Sequence, residues 1–221
     1  MTFTFAIQDK DGNAVLKADT TNKKVAIGAT QTAANTQYAY FGISSGAGTS
    51  ANQVADTHYA IPFGSSIFAG TTANFAMGSS TSSSFNDTNP ATSLTIATTA
   101  FDIVTAYWYV VDDIQIDAVH WLHGADAATG ESTAAHLMSY DVVTDNSSTS
   151  GDLSNGLVVA DGANITNAGY EQIYYQSMSV DSTNKDVDAG KIILFTFAAD
   201  AVSSDYSLKA FCKNGIILIF L

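Results

Sequence analysis

The densest run of side chains suited to acid–base or metal chemistry is Asp112, Asp113, Asp117, His120, His123, Asp126, Glu131 and His136. His120 and His123 are three residues apart. On a helix they would share a face and, with a carboxylate, offer a zinc-type ligand set. The residues around them argue for a strand instead: Ile114, Ile116 and Ala118 alternate with Gln115, Asp117 and Val119. At period two, His120 and His123 point to opposite faces, and the metal pair dissolves. The two histidines then flank Trp121 near the end of a core strand, with the acids in solvated loops beyond. A hydrolase using Asp117, His120 and Glu131 is the competing reading of the same run.

Asp112-Asp113 lies between two strand-like runs and fits a tight turn in which the carboxylates cap backbone amides. Adjacent aspartates in a short turn seldom converge on one substrate atom, as acid–base catalysis requires. The Asp-rich stretches Asp152 to Asp161 and Asp181 to Asp188 lack the glycine and terminal glutamate of an EF-hand loop. There is no Gly-x-Ser-x-Gly elbow and no glycine-rich phosphate loop with a lysine. Gly46-Ala47-Gly48 lacks the later glycine of a dinucleotide fingerprint. The expectation is a non-enzymatic chain with no catalytic residue, no metal and no cofactor.

Aromatic rings are the other chemistry-bearing group, because their apolar faces can stack on sugar rings while tyrosine hydroxyls bond at the rim. The candidate glycan contacts are Tyr107, Tyr109, Tyr170 and Tyr174. Tyr174 and Tyr175 face opposite ways on a strand, so one of them is expected at the surface.

The composition says what must position these residues. All eight basic residues are lysine, and of 21 acids only Glu131 and Glu171 are glutamate. Good formers of exposed helix faces are therefore scarce, while Thr, Ser, Asn, Asp, Gly, Tyr, Phe and Val suit strands and turns. A net charge of -13 without arginine leaves little to neutralise phosphates, which argues against nucleic-acid partners. No apolar run approaches the ~20 residues of a membrane-spanning helix, so membrane insertion is not expected. Met1 to Lys10 lacks a basic n-region and an apolar h-region. That pattern predicts synthesis in a cytoplasm without a signal peptide. Cys212, the single cysteine, reads as a small buried hydrophobe.

Many short alternating runs follow one another: Tyr59 to Phe63, Ser66 to Phe68, Leu94 to Ala97, Thr105 to Val111, Ile114 to Leu122, Ala135 to Asp141, Leu157 to Val159, Gln172 to Val180, Lys191 to Ala198 and Leu208 to Phe220. Eight or more strands at this spacing predict an all-β, antiparallel, jelly-roll-like sandwich. Asn214-Gly215 carries the signal of a type I′ turn and predicts a terminal hairpin. The apolar run Ile216 to Leu221 must lie mid-sheet or at an interface, since an open edge of that kind aggregates. Ala29 to Thr57 reads as a linker or poorly paired strand, which divides the chain into an N-terminal β segment with linker, 1–56, and a sandwich domain, 57–221.

Within the first 28 residues Phe3, Phe5 and Ile7 alternate with threonine and alanine, Asp9 to Gly12 forms a turn, and Val15, Leu16, Val25 and Ile27 follow. So small a segment cannot bury its own apolar face. Those seven residues are the expected interface, with the main domain or with copies of the chain. The stretch Asp11-Gly12-Asn13 through Val15-Leu16-Lys17-Ala18-Asp19-Thr20-Thr21-Asn22-Lys23-Lys24-Val25-Ala26-Ile27-Gly28 resembles a short segment that recurs in tailed-phage fibre, spike and other virion surface proteins. It covers about 18 of the 221 residues, has Ala26 where a second glycine is usual, and lacks the proline often found soon after Gly28. The resemblance implies a homotrimer on the virion surface, as capsid decoration or short fibre, alongside other virion proteins. Adhesion to a host surface glycan, as a fibre tip or carbohydrate-binding module, is the alternative.

Overall fold

The computed structural model describes residues 4–19, 24–27, 36–44, 55–64, 90–93, 106–126, 129–142, 153–168, 172–200 and 205–216. All regular structure among them is β. Strands β1 (Thr4–Gln8), β2 (Ala14–Asp19) and β3 (Lys24–Ile27) form a small antiparallel sheet in that order. The β1–β2 turn is built as its residues dictate. Asp9 Oδ1 accepts the amides of Asp11 and Asn13, both at 2.9 Å, and Gly12 takes a φ of +84° that other residues resist.

The remaining strands are β4 (Thr36–Ser44), β5 (Tyr59–Ile61), β6 (Trp108–Tyr109), β7 (Ile114–Asp126), β8 (Ser132–Val142), β9 (Leu153–Asp161), β10 (Ile165–Thr166), β11 (Gln172–Ser177), β12 (Ser179–Val180), β13 (Asp186–Val187), β14 (Ile192–Ala199) and β15 (Asp205–Ile216). Eight of them carry the topology: β4, β5, β7, β8, β9, β11, β14 and β15. The first pairs with the eighth, the second with the seventh, the third with the sixth and the fourth with the fifth, all antiparallel. This is a two-stranded ribbon rolled up on itself. Pairing of β15 with β7 and of β14 with β8 then closes it into two sheets, β11-β7-β15-β4 and β12-β9-β8-β14-β5. The chain is an antiparallel β-sandwich with jelly-roll topology.

Two sequence expectations are corrected. Thr36–Ser44 lies within the stretch expected to be a linker or a poorly paired strand, yet it is the first strand of the roll, paired along its whole length with β15. Thr36, Tyr38, Tyr40, Phe41 and Ile43 suit a strand, and the pairing that secures it comes from β15, far along the chain. Asn214-Gly215 makes no hairpin either. Both residues sit inside β15, opposite Gln37 and Thr36 on one side and Ile116 and Gln115 on the other. Two ladders outweigh one local turn preference. The candidate strands at 66–68 and 94–97 and the apolar end at 217–221 lie outside the described residues.

The sheets meet over Phe41, Trp121, Leu137, Ile193, Phe195 and Phe197, all buried. The β14 sheet is covered on its outer face as well. Met138, Tyr140, Ile192 and Leu194 form a second cluster there with Ala60, Ala106 and Leu153. Burial on both faces explains why all of Ile192–Ala199 is buried and why the run reads IILFTFAA rather than alternating. Residues 90–93 complete that cover: Tyr140 Oη donates to Ala91 O at 2.8 Å, and Gly156 N to Thr92 O at 2.8 Å.

The cover leaves no room for a side chain at Gly156. A Cβ there would sit 2.5 Å from Tyr140 Cε1 and 2.9 Å from Thr92 Cα. Gly156→Ala is expected to destabilise the fold by about 1–3 kcal/mol, read as a lower midpoint in thermal or urea unfolding. An unchanged midpoint would mean that 90–93 does not pack against β9.

Candidate functional site

β7 carries most of the chemistry-bearing residues, and one irregularity decides where each points. Lys213 of β15 pairs with Ala118, but Asn214 pairs with Ile116, so Asp117 is an extra residue in the ladder. This bulge flips the alternation. Ile114 and Ile116 face the core before it, and Val119, Trp121 and His123 face the core after it. Strict alternation would have put those two sets on opposite faces.

His120 and His123 lie on opposite faces. His123 is fully buried, stacked on Trp121 at 5.4 Å and on Tyr174 at 5.9 Å, with Phe197 closing a third side. Trp121 Nε1 donates to Gln176 Oε1 at 2.8 Å. His120 turns outward and stacks on Tyr175, whose hydroxyl is 2.9 Å from His120 Nδ1.

The competing hydrolase trio shares no site. Asp117 stands at the bulge, its Oδ2 3.9 Å from Lys213 Nζ, whereas Glu131 lies beyond the far end of the strand. From Asp117 to Asp126 alone is about 30 Å at ~3.3 Å per residue. His136 has joined neither group: its Nε2 is 3.2 Å from Asp161 Oδ1 and its ring meets His58 edge-on. The loop acids serve the backbone. Asp113 Oδ1 accepts the amide of Ala189 at 2.8 Å, and Asp181 Oδ1 those of Thr183 and Asn184 at 2.7 and 3.1 Å. Among the described residues no three His, Cys, Asp or Glu side chains gather closely enough to hold a metal. The Cys212 thiol is fully buried, and burial pushes its pKa far up, so it offers no nucleophile.

The tyrosines expected to contact glycan do not converge. Tyr107 is half-buried against the Met138–Tyr140 cluster, and Tyr109 is exposed on β6 at the edge of β14. Tyr174 points inward onto His123; its hydroxyl donates to Gln172 Oε1 at 2.6 Å and accepts the Ala168 amide at 2.7 Å. Tyr170 lies outside the described residues. Of the pair 174 and 175, the surface residue is Tyr175, 63% exposed.

The structure instead assembles a group of rings on the outer face of the β11-β7-β15-β4 sheet. The register aligns Ser177, His120, Phe211 and Tyr40 across the four strands, with Tyr175, Leu122, Lys209 and Gly42 in the adjoining row and Lys213 opposite Tyr38 in the next. Tyr40 and Phe211 meet edge to face at 5.4 Å, and Lys209 Nζ lies 5.9 Å from the centre of each ring. Tyr38 and Tyr40 are 58% and 40% exposed. The signal was present as period two: Lys209, Phe211 and Lys213 alternate with buried Leu208, Ala210 and Cys212. Its other half, Tyr38 and Tyr40, was hidden in the expected linker.

No protein-family model matches the chain, and no curated protein matches it either.

The buried histidine gives a pH prediction. Desolvation pulls the His123 pKa from 6.5 down to about 4, so the folded state holds the ring neutral while the unfolded chain takes up a proton below 6.5. Stability is therefore intact above 6.5 and falls as pH drops toward 4, by about 2–4 kcal/mol over that window. Asp9 and Asp141, with pKa values lowered from 3.8 chiefly by hydrogen bonds from Asn13 and Lys191, act only below it. His123→Phe keeps a ring in the stack and should flatten the dependence of the unfolding midpoint between pH 7 and pH 4.5. An equally steep dependence in the variant would assign it to other groups.

Proposed function

We propose that the chain is a non-enzymatic, self-associating subunit of a virion's exterior, a capsid decoration or short fibre, whose copies join through the N-terminal sheet. One observation carries this reading: the apolar face of that sheet is uncovered in a single chain. Phe5 and Ile7 are 62% and 50% exposed. The β1–β2 register sets them opposite Ala18 and Leu16, and the β2–β3 register continues the row to Val25 and Ile27. Val15, 47% exposed, neighbours Leu16 and so lies outside this row, at the register shift that sets Gln8 against Ala14. Phe3 lies outside the described residues.

A three-stranded sheet of four to six residues per strand needs a partner for its apolar side. Among the described residues its strands pair with no other sheet. Charge favours an identical partner. Residues 1–28 hold four lysines and three aspartates, while the rest of the chain holds four lysines and eighteen acids. Copies can therefore meet at their near-neutral ends while their acidic bodies stay apart. Covering each of Phe5, Ile7 and Leu16 contributes about 1–2 kcal/mol per chain, given their partial burial already. The trimer and the virion are supported by the resemblance of residues 11–28 and by the jelly roll, an architecture shared by capsid and lectin domains. A carbohydrate-binding module is the second reading, favoured by the ring-bearing outer face of β11-β7-β15-β4.

Light scattering of the full chain should give three times its 23.1 kDa mass. The double variant Phe5→Asp, Ile7→Asp should return a single-chain mass with the sandwich's unfolding midpoint unchanged. A wild-type chain that stays single at micromolar concentration would remove the proposal.

A further inference from the structure

We infer that the outer face of β11-β7-β15-β4 is a binding surface for an anionic polysaccharide, held by ring stacking and by Lys209 and Lys213. The two sheets differ in a way that points to a ligand. The outer face of the β14 sheet is covered by this chain's own residues 90–93 and 106–107, whereas that of the β7 sheet keeps its rings at the surface. Large exposed rings in a group mark an interaction site, since a solvated face gains nothing from them.

The chemistry of the group suits sugar better than protein. Each ring comes with a polar tip or a polar neighbour: the Tyr175 hydroxyl on His120 Nδ1, and Lys209 between Tyr40 and Phe211. Such a surface can take the C–H face of a pyranose and its hydroxyls at once. The rows cross four strands, about 14 Å at ~4.8 Å per gap, which suits several linked sugars rather than one.

The charge selects an acidic chain. Residues 29–221 carry only four lysines, Lys185, Lys191, Lys209 and Lys213, against eighteen acids. Two of the four stand on this one face, Lys213 with its Nζ 3.9 Å from Asp117 Oδ2, while Lys191 is engaged by Asp141 at 2.8 Å on the other sheet. Cations beside rings give a carboxylate- or sulfate-bearing glycan a place to settle on an otherwise acidic sandwich. This site uses no residue of the N-terminal sheet and does not depend on copies joining there.

Affinity electrophoresis of the full-length protein in gels containing dextran sulfate, a polyuronate or plain dextran tests it. Retardation by either acidic polymer, weakened at least tenfold in Tyr175→Ala and again in Lys209→Ala, is the expected result. The sulfate and uronate lanes tell which acid group is preferred. Electrostatic repulsion at a net charge of -13 opposes any nonspecific retardation. Both substituted residues are exposed, so unfolding midpoints should match the wild type, and Tyr40→Ala provides a third, independent position. Equal retardation by plain dextran overturns the role of charge. No retardation in any lane, retardation that survives both substitutions, or a change of assembly mass in the variants without polysaccharide binding overturns the site.

Discussion

The register of β15 between β7 and β4 is the constraint on which most of the molecule depends. β15 joins the first strand of the roll to the third, and so ties the end of the chain to its beginning. With that pairing set, Leu208, Ala210 and Cys212 must face the core and Lys209, Phe211 and Lys213 must face out. A slip of one residue would exchange the two sets, burying lysines and exposing core side chains. The bulge at Asp117 works within this register. It absorbs one residue of β7, so that two apolar runs of opposite phase both reach the core.

The two sheets divide the work of the sandwich. Ile192–Ala199 is buried on both faces, and such a strand supplies stability but has no surface to offer. The β7 sheet has one face in the core and one in solvent, and there sequence is free to serve something other than packing. Its outer rows nevertheless hold rings rather than the usual threonine and lysine mixture. That choice has a cost in solubility, which the acidic body offsets.

The sequence made the fold class legible because most strands obey a local rule. Alternation at Ile114 to Ile116, the apolar run at Lys191 to Ala198 and the Asp-Gly turn after Ile7 each reveal a strand or turn from neighbouring residues alone. What stayed hidden was set by distance. Thr36–Ser44 is a strand because β15 pairs with it from more than 160 residues away, and no local pattern in TQYAYFGIS announces that partner. Asn214-Gly215 misled in the opposite direction, a sound local signal overruled by two flanking strands. The ring-bearing face needed both errors undone. Half of it lies on the strand read as a linker, and Lys213 lies one residue before the expected turn.

The two surfaces proposed for this chain reinforce each other through geometry. Ring stacking and two lysines give a shallow site whose contacts are individually weak, and salt screens the charged part within about 10 Å. A single copy would release a polymer quickly. If copies join through Phe5, Ile7 and Leu16, their sandwiches are tethered together, and a long glycan reaching one site meets the next at high effective concentration. Modest affinity per site is then sufficient, and it has an advantage on a repetitive polymer, since each contact can break and re-form while the assembly stays attached. An apolar sheet that joins copies and a solvated sheet face that grips loosely are the two surfaces such an adhesive particle needs.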